Sequence, residues 1–357
     1  MRHPPAAARA TRVAAAVAGL ATIAACSAPA SPPGGPPAAH HAHHARPVPR
    51  RAAVTDASPA CGGGGVQRVS TAAELTAALA GARPGTRIWL EPGVYQGDFV
   101  AAGSGTPAAP IYVCGGRNAV LQGTSTTSGY TFHLAQASWW RLEGFTVAGG
   151  QKGVVTDGAT HDLISGLFVH GTGDEAIHLR AFSSYDAVSR NIVRDTGRDV
   201  PFFGEGIYVG SAHDNWCRYT GCRPDASDHD VIIDNNIAQT TAENIDIKEG
   251  TTGGTVAGNV LNGTGMVASA ATAWINVKGN GWKILDNRGV DTIGDGYQVH
   301  QVYPGWGIGN VFRGNRAAVD GTGYGIYVQS RHLQTVVFCS NTVRGRGAQL
   351  SNLPCQA

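Results

Sequence analysis

The chain has 357 residues, with 27 Lys and Arg against 25 Asp and Glu, and a mean hydropathy of −0.10. Residues 1–60 hold six Arg and one Asp, so residues 61–357 keep 21 basic and 24 acidic groups, a net of −3. That balance excludes a nucleic-acid partner, and a polyanionic substrate needs a local cationic patch or a bound cation to be held.

Residues 1–25 read as an export signal. Arg2, Arg9 and Arg12 precede an apolar run from Val13 to Ala25 that is too short to span a bilayer. Ile23-Ala-Ala-Cys26 resembles a bacterial lipobox, which makes Cys26 the lipidated first residue of a surface lipoprotein. An ordinary secretion signal is the plainer alternative. Residues 26–60, rich in Ala, Pro and His, lack apolar periodicity and read as a disordered tether. His40, His41, His43 and His44 belong to that tether composition. The folded domain is expected over 61–357, outside the membrane, with the lipid as its sole membrane contact, and monomeric.

Six cysteines remain after Cys26. An even count in an exported chain suggests disulfides. Cys217 and Cys222 flank a short loop and are paired here. Cys339 with Cys355 ties down the C-terminus, and Cys61 with Cys114 fastens the N-terminal end. The spacings do not repeat as the paired ligands of a zinc site.

Thr71-Ala-Ala-Glu74 matches a capping box and opens an Ala/Leu-rich helix through about Gly81. That helix is expected to cover the first coil of a repeating domain. Beyond it the chain repeats itself. Seven short phrases align: Gly153-Val-Val-Thr-Asp157, Ala176-Ile-His-Leu-Arg180, Gly206-Ile-Tyr-Val-Gly210, Asn244-Ile-Asp-Ile-Lys248, Trp274-Ile-Asn-Val-Lys278, Gly296-Tyr-Gln-Val-His300 and Gly325-Ile-Tyr-Val-Gln329. A second series is Asn191, Asn236, Asn259, Asn287, Asn315 and Asn341, in steps of 23 to 28 residues except for one of 45. The long step implies a loop of about twenty residues inserted into one repeat. Repeats of this length, with short strands and no helical period, predict an all-β, right-handed parallel β-helix with an N-terminal capping helix. Ile207, Ile245 and Ile275 then stack in the core. The Asn series forms an internal ladder of amides.

With the helix, Pro84-Gly85, Pro92-Gly-Val-Tyr95, the strand phrases and the Asn series in view, the chain resembles the pectin-lyase-like right-handed parallel β-helix superfamily over about residues 65–350. The resemblance implies the architecture. It spans lyases, hydrolases, epimerases, esterases, tailspikes and adhesins, so activity has to come from the site.

Outward side chains of one sheet form columns in such a coil. The third place of the phrase reads Val155, His178, Tyr208, Asp246, Asn276, Gln298, Tyr327. The fifth reads Asp157, Arg180, Gly210, Lys248, Lys278, His300, Gln329. Asp174, Glu175, Glu205, Glu243 and Asp295 come just before the strands. Gly210 opens a saddle between Arg180 and Lys248, and the loop with Trp216 and Cys217/Cys222 walls one side. Tyr208, Trp274 and Tyr327 offer rings to sugar faces, and Lys278 and His300 offer polar contacts to a polysaccharide.

The chemistry this face suits best is β-elimination on a uronate polymer. A base removes the proton α to a carboxylate that must itself be neutralised. Lys248 is the expected base, with its pKa lowered toward 7–8, and Arg180, Asp246 and His178 complete the catalytic candidates. Neutralisation comes from Arg or from calcium, for which Asp174, Glu175, Glu205, Glu243 and Asp246 could supply oxygens. The arrangement is similar to that of family-9 pectate lyases, which implies calcium-binding Asp residues and a Lys base. Asp174-Glu-Ala-Ile-His178 stands where that family has an Asp-Asp-Gly-aromatic-Asp run, with Glu175 and His178 replacing carboxylates. Two other functions compete: a glycoside hydrolase using Glu205 with Asp246 or Glu243, and a non-catalytic glycan-binding surface lipoprotein.

Overall fold

The computed structural model describes residues 61, 62, 65–320 and 323–357. The export signal, Cys26 and the His-rich tether lie outside them. Among the described residues the chain winds into a parallel β-solenoid of about ten turns, with three sheets of eleven, ten and ten strands. Sheet A runs from Gln67–Val69 to Val336–Val337, sheet B from Gly93–Gln96 to Thr342–Arg344, and sheet C from Phe99–Ala101 to Gln349–Ser351. Each coil adds one short strand to each sheet, so every strand pairs with its counterpart one coil away.

The repeat dictates this register. Bulky residues at the second and fourth places of each phrase must leave water together, and only in-register stacking buries both. Ile177, Ile207, Ile245, Ile275 and Tyr297 accordingly stack along sheet C, all fully buried. The odd residues between them stay on the outer face, and the expected column His178–Tyr208–Asp246–Asn276–Gln298–Tyr327 is continuous.

The amide ladder forms with one correction. Its second member is Asn235, where the repeat had suggested Asn236. Each amide nitrogen donates to the next amide oxygen, from Asn191 through Asn235, Asn259, Asn287 and Asn315 to Asn341, at 2.9 to 3.0 Å. Each also donates to a main-chain carbonyl, and each oxygen accepts the preceding backbone N–H. Asn236 lies one residue further, on the outer face, where its oxygen accepts from Arg194. Adjacent Asn residues at this corner made the two registers indistinguishable by spacing.

A second corner uses aspartate. Asp162, Asp186 and Asp230 each accept a backbone N–H of the coil before through Oδ1, at 2.7 to 2.8 Å. Their Oδ2 atoms are buried with no hydrogen-bond partner among the described residues. Burial pushes all three carboxyls upward, Asp162 to about 8.

The helix Ala72–Ala80 carries the capping box as read, with Glu74 N–H donating to Thr71 and the Glu74 carboxylate accepting from the Thr71 backbone. Leu75, Ala78 and Leu79 join the core. The long inserted loop falls between Ile207–Val209 and Val231–Ile233 and holds the short helix Trp216–Tyr219. All three disulfides pair as expected, Cys61–Cys114, Cys217–Cys222 and Cys339–Cys355, a content that fits a secreted protein. No described helix is long and apolar enough to cross a membrane.

Candidate active site

The outer face of sheet C concentrates charge because two columns run side by side. One holds the third-place residues. The other holds Lys152, the first residue of its strand, and, two residues before the strand in each following coil, Glu175, Glu205, Glu243, Ala273 and Asp295. Contacts between the columns confirm the geometry: Glu175 lies 3.4 Å from His178, Asn276 donates to Glu243 at 3.1 Å, and Gln298 donates to Asp295 at 2.7 Å.

At the centre, Asp246 holds two ammonium groups. Lys278 donates to both carboxylate oxygens at 2.7 and 2.8 Å, and Lys248 lies 3.0 Å from Oδ2. Burial raises the Asp246 pKa, but Lys248 and Lys278 outweigh it and the carboxylate stays ionised. Lys248 also lies over the Tyr208 ring, 5.1 Å from its centroid. None of the described residues hydrogen-bonds the Tyr208 hydroxyl, and the residue retains 8% exposure. His178 packs edge-on against the same ring at 4.4 Å.

Gly210 is required where it stands. Its φ is +79°, and a Cβ there would lie 2.5 Å from the Thr251 methyl. Its carbonyl accepts from His178 Nε2 at 2.9 Å, which leaves Nδ1 facing Glu175. Burial, with Lys152 and Arg180 nearby, lowers the His178 pKa, so the ring is neutral around pH 7.

The remaining acids behave unlike ordinary carboxylates. Glu205 is fully buried, its Oε2 has no partner, and burial with Glu175, Asp246 and Glu243 around it pushes its pKa far up. Glu243 is raised by burial and by Asp246. Glu175 goes the other way. Burial raises it, but Lys152 and His178 hold it down at about 2. Asp174 is raised to about 6 by burial. The face therefore carries an ionised Asp246 held by two ammoniums, an ionised Glu175 beside Lys152, and two glutamates whose pKa values burial and like charges raise.

A cleft of about 330 Å³ opens beside this centre, lined by Glu243, Asn276, Lys278, Gln298 and His300 on the sheet and by residues 268–272 and Val302 opposite. The inserted loop places Trp216 against His213 and against Tyr303, the residue after Val302. Asp225 ties that loop to the Ala181 and Phe182 backbone at 2.9 Å.

The solved structure of an alginate lyase from Paenibacillus sp. str. FPU-7 is 34% identical over 81% of this chain and 99% of its own, with a TM-score of 0.75. The chain belongs to the polysaccharide lyases of the pectin-lyase-like superfamily. A pectate lyase matches at 16% identity over 79% of this chain and 75% of its own, with a TM-score of 0.56. A tailspike of bacteriophage CBA120 matches at 12% over 76% and 40%, with a TM-score of 0.53. At those identities the likeness extends to the fold alone. No protein-family model and no curated protein matches the chain.

Several expectations for this polysaccharide lyase need correction. Trp274 is fully buried against Tyr297 with its indole N–H on the Val290 carbonyl, so it offers no face to a sugar. Arg180 turns away from Lys248. It binds Asp157 at 2.6 and 3.0 Å and lies between the rings of Tyr130 and Tyr219. The Lys248 pKa rises where a fall was expected: burial lowers it, but Asp246, Tyr208 and Glu205 together reverse the shift. His300 and Tyr327 sit two and three coils from Asp246; His300 lines the cleft, on Gln298 at 2.9 Å, and Tyr327 is not part of the lining. Lys152 was missed, although extending the pre-strand column by one coil from Glu175 reaches it.

The predicted metal set assembles only in part. Glu205, Glu243 and Asp246 bring ligand atoms within 4.8 Å of one another, and Asp174 and Glu175 stay outside that group. The group fits calcium poorly. Calcium takes about six to eight oxygens. Here both Asp246 oxygens are taken by ammoniums, and burial among like charges raises the pKa of both glutamates.

Proposed function

We propose that this lyase cleaves a uronate polymer, alginate before others, by β-elimination on the outer face of sheet C. The observation that carries this reading is the Lys248–Asp246–Lys278 bridge beside Tyr208. It supplies fixed positive charge and a proton-transfer pair in one water-poor place. The alginate lyase relative supports the choice of polymer.

Lys278, with the Asn276 amide, neutralises the substrate carboxylate and makes the α proton acidic. The Lys248–Tyr208 pair moves the protons. Its deprotonated member takes the proton from the carbon α to the carboxylate. That electron pair forms the double bond, the β carbon–oxygen bond breaks, and the other member protonates the leaving oxygen. Asp246 holds both lysines in place and takes no proton itself. Its oxygens are engaged, which also argues against the hydrolase reading, where a free carboxylate must attack or activate water.

Calcium is not needed on this reading, because the lysine ammoniums already supply the positive charge. The pH dependence follows. Burial raises the Tyr208 pKa, and its neighbours raise that of Lys248, so the basic member appears only as pH rises and turnover climbs on the alkaline side.

The deciding assay incubates the protein with alginate, polygalacturonate and a neutral glucan, with and without excess chelator. Ultraviolet absorbance of the unsaturated sugar and reducing ends are followed together. Both signals from alginate, unchanged by chelator, are expected. Reducing ends without absorbance would make it a hydrolase, and loss of activity in chelator would restore a metal to the site.

A further inference from the structure

The last coils of sheet B carry a row of cations that the active site does not use. Arg288 and Arg316 face each other across paired strands, and Arg344 follows one coil later, opposite Ala318. With Ala318 and Thr342 as a small-residue floor they line a groove of about 350 Å³. All three are exposed. None has an ion pair, and no described group hydrogen-bonds a guanidinium of the three. Other arginines differ: Arg68 is on Glu91, Arg180 on Asp157 and Arg194 on Asn236.

The row is also local. In the preceding coils the same column reads Phe168, Ile192, Asn236 and Val260, without a charge. It sits on a domain whose net charge is negative, so it stands out as a concentrated positive strip.

We propose that this strip anchors a polyuronate chain at a second site, on a different sheet from the catalytic face. Coils repeat about every 4.8 Å. That is comparable to the advance of one residue in an extended uronate polymer, with one carboxylate per residue. Arg288 and Arg316, in register at that interval, meet successive carboxylates, each as a two-pronged hydrogen-bonded pair, and Arg344 stands in the next coil two residues further along the strand. A small, shallow floor leaves room for the sugar rings. Anchoring one stretch of a long polymer raises the local concentration of its remainder at the cleft. The choice of uronate rests on the function proposed above, whereas the cation row stands without it.

The test uses the mature protein and the double variant R288S/R316S, with R288K/R316K as the charge-retaining control. Binding of long alginate is measured on variants that also carry K248A, so that turnover cannot interfere. Melting midpoints verify the fold. The serine variant should lose at least tenfold in affinity for long alginate, and the lysine variant should keep most of it. In the cleaving enzyme the serine pair should raise KM for long polymer, leaving kcat and the cleavage of short oligosaccharides unchanged. Unaltered affinity and KM in the serine variant overturn the proposal. Equal, arginine-dependent binding of polyphosphate overturns its uronate assignment. Arginine-dependent binding of polyuronate without any cleavage sustains the anchor and ends the active-site reading instead.

Discussion

Asn259 and Asp246 lie thirteen residues apart on one solenoid. Both stack on polar neighbours above and below, yet the two stacks are opposites. Every amide in the Asn ladder meets an identical amide, so each donor finds an acceptor and the column is closed. On sheet C each side chain meets a different one: imidazole, phenol, carboxylate, amide. Stacking cannot satisfy such a series. It leaves Glu205 Oε2 and Asn276 Oδ1 buried without partners, glutamates whose pKa values are raised, and two ammoniums on one carboxylate. Repetition of one residue yields structure, and variation at the same spacing leaves groups free for chemistry.

The sharpest way to break that contrast is to put a charge on the inward side of the strand that carries Asp246. Ile245→Asp buries an unpaired carboxylate among Ile207 and Ile275, at a cost of about 5 kcal/mol or more. The product should fail to show a cooperative melt; a normal melting curve would refute the register. Next comes Lys248→Ala on the outer face. Turnover should fall by roughly 10³-fold or more. The melting midpoint should move little, because Asp246 keeps Lys278. Wild-type turnover in that variant would remove Lys248 from the mechanism.

Asn259→Ala reverses those expectations. It strands the Ile232 carbonyl and the amides of Asn235 and Asn287, costing about 2–4 kcal/mol by denaturant titration with kcat unchanged. Loss of turnover without loss of stability would mean that the two columns are not independent.

The smallest effect concerns the aspartate corner, an inner ladder that is only half satisfied. Asp162 is raised from 3.8 to about 8 by burial, so the folded chain holds a proton that the unfolded chain releases. Its contribution is full below pH 3.8 and is lost as pH rises toward about 8. Asp162→Asn should therefore flatten the fall in melting temperature over that window by a few degrees. An identical pH profile in the variant would show that the carboxyl is ionised in the fold.

Much of this architecture was legible in the order of residues alone. Bulky side chains at every second place, returning once per coil, have one economical burial, and that burial forces the outer residues into columns. The sequence positions of His178, Tyr208, Asp246 and Asn276 thereby determined that they would be neighbours, and the cysteine spacings determined their pairing. The period left the Asn ladder one residue uncertain, because adjacent Asn residues at 235 and 236 satisfy it equally well.

Which way each charged side chain leans was decided only in three dimensions. Arg180 had Asp157 one coil behind it and Lys248 two coils ahead, and the pairing with Asp157 prevailed. Lys248 kept its proton because three-dimensional neighbours supplied more negative potential than burial removed. Trp274 opened a strand phrase like an outward ring and turned inward, since the glycine at 289 left space for it. Periodicity specifies which backbone positions meet. The direction of a long side chain and the charge it carries depend on the summed field and free volume of several coils, and no single repeat contains that information.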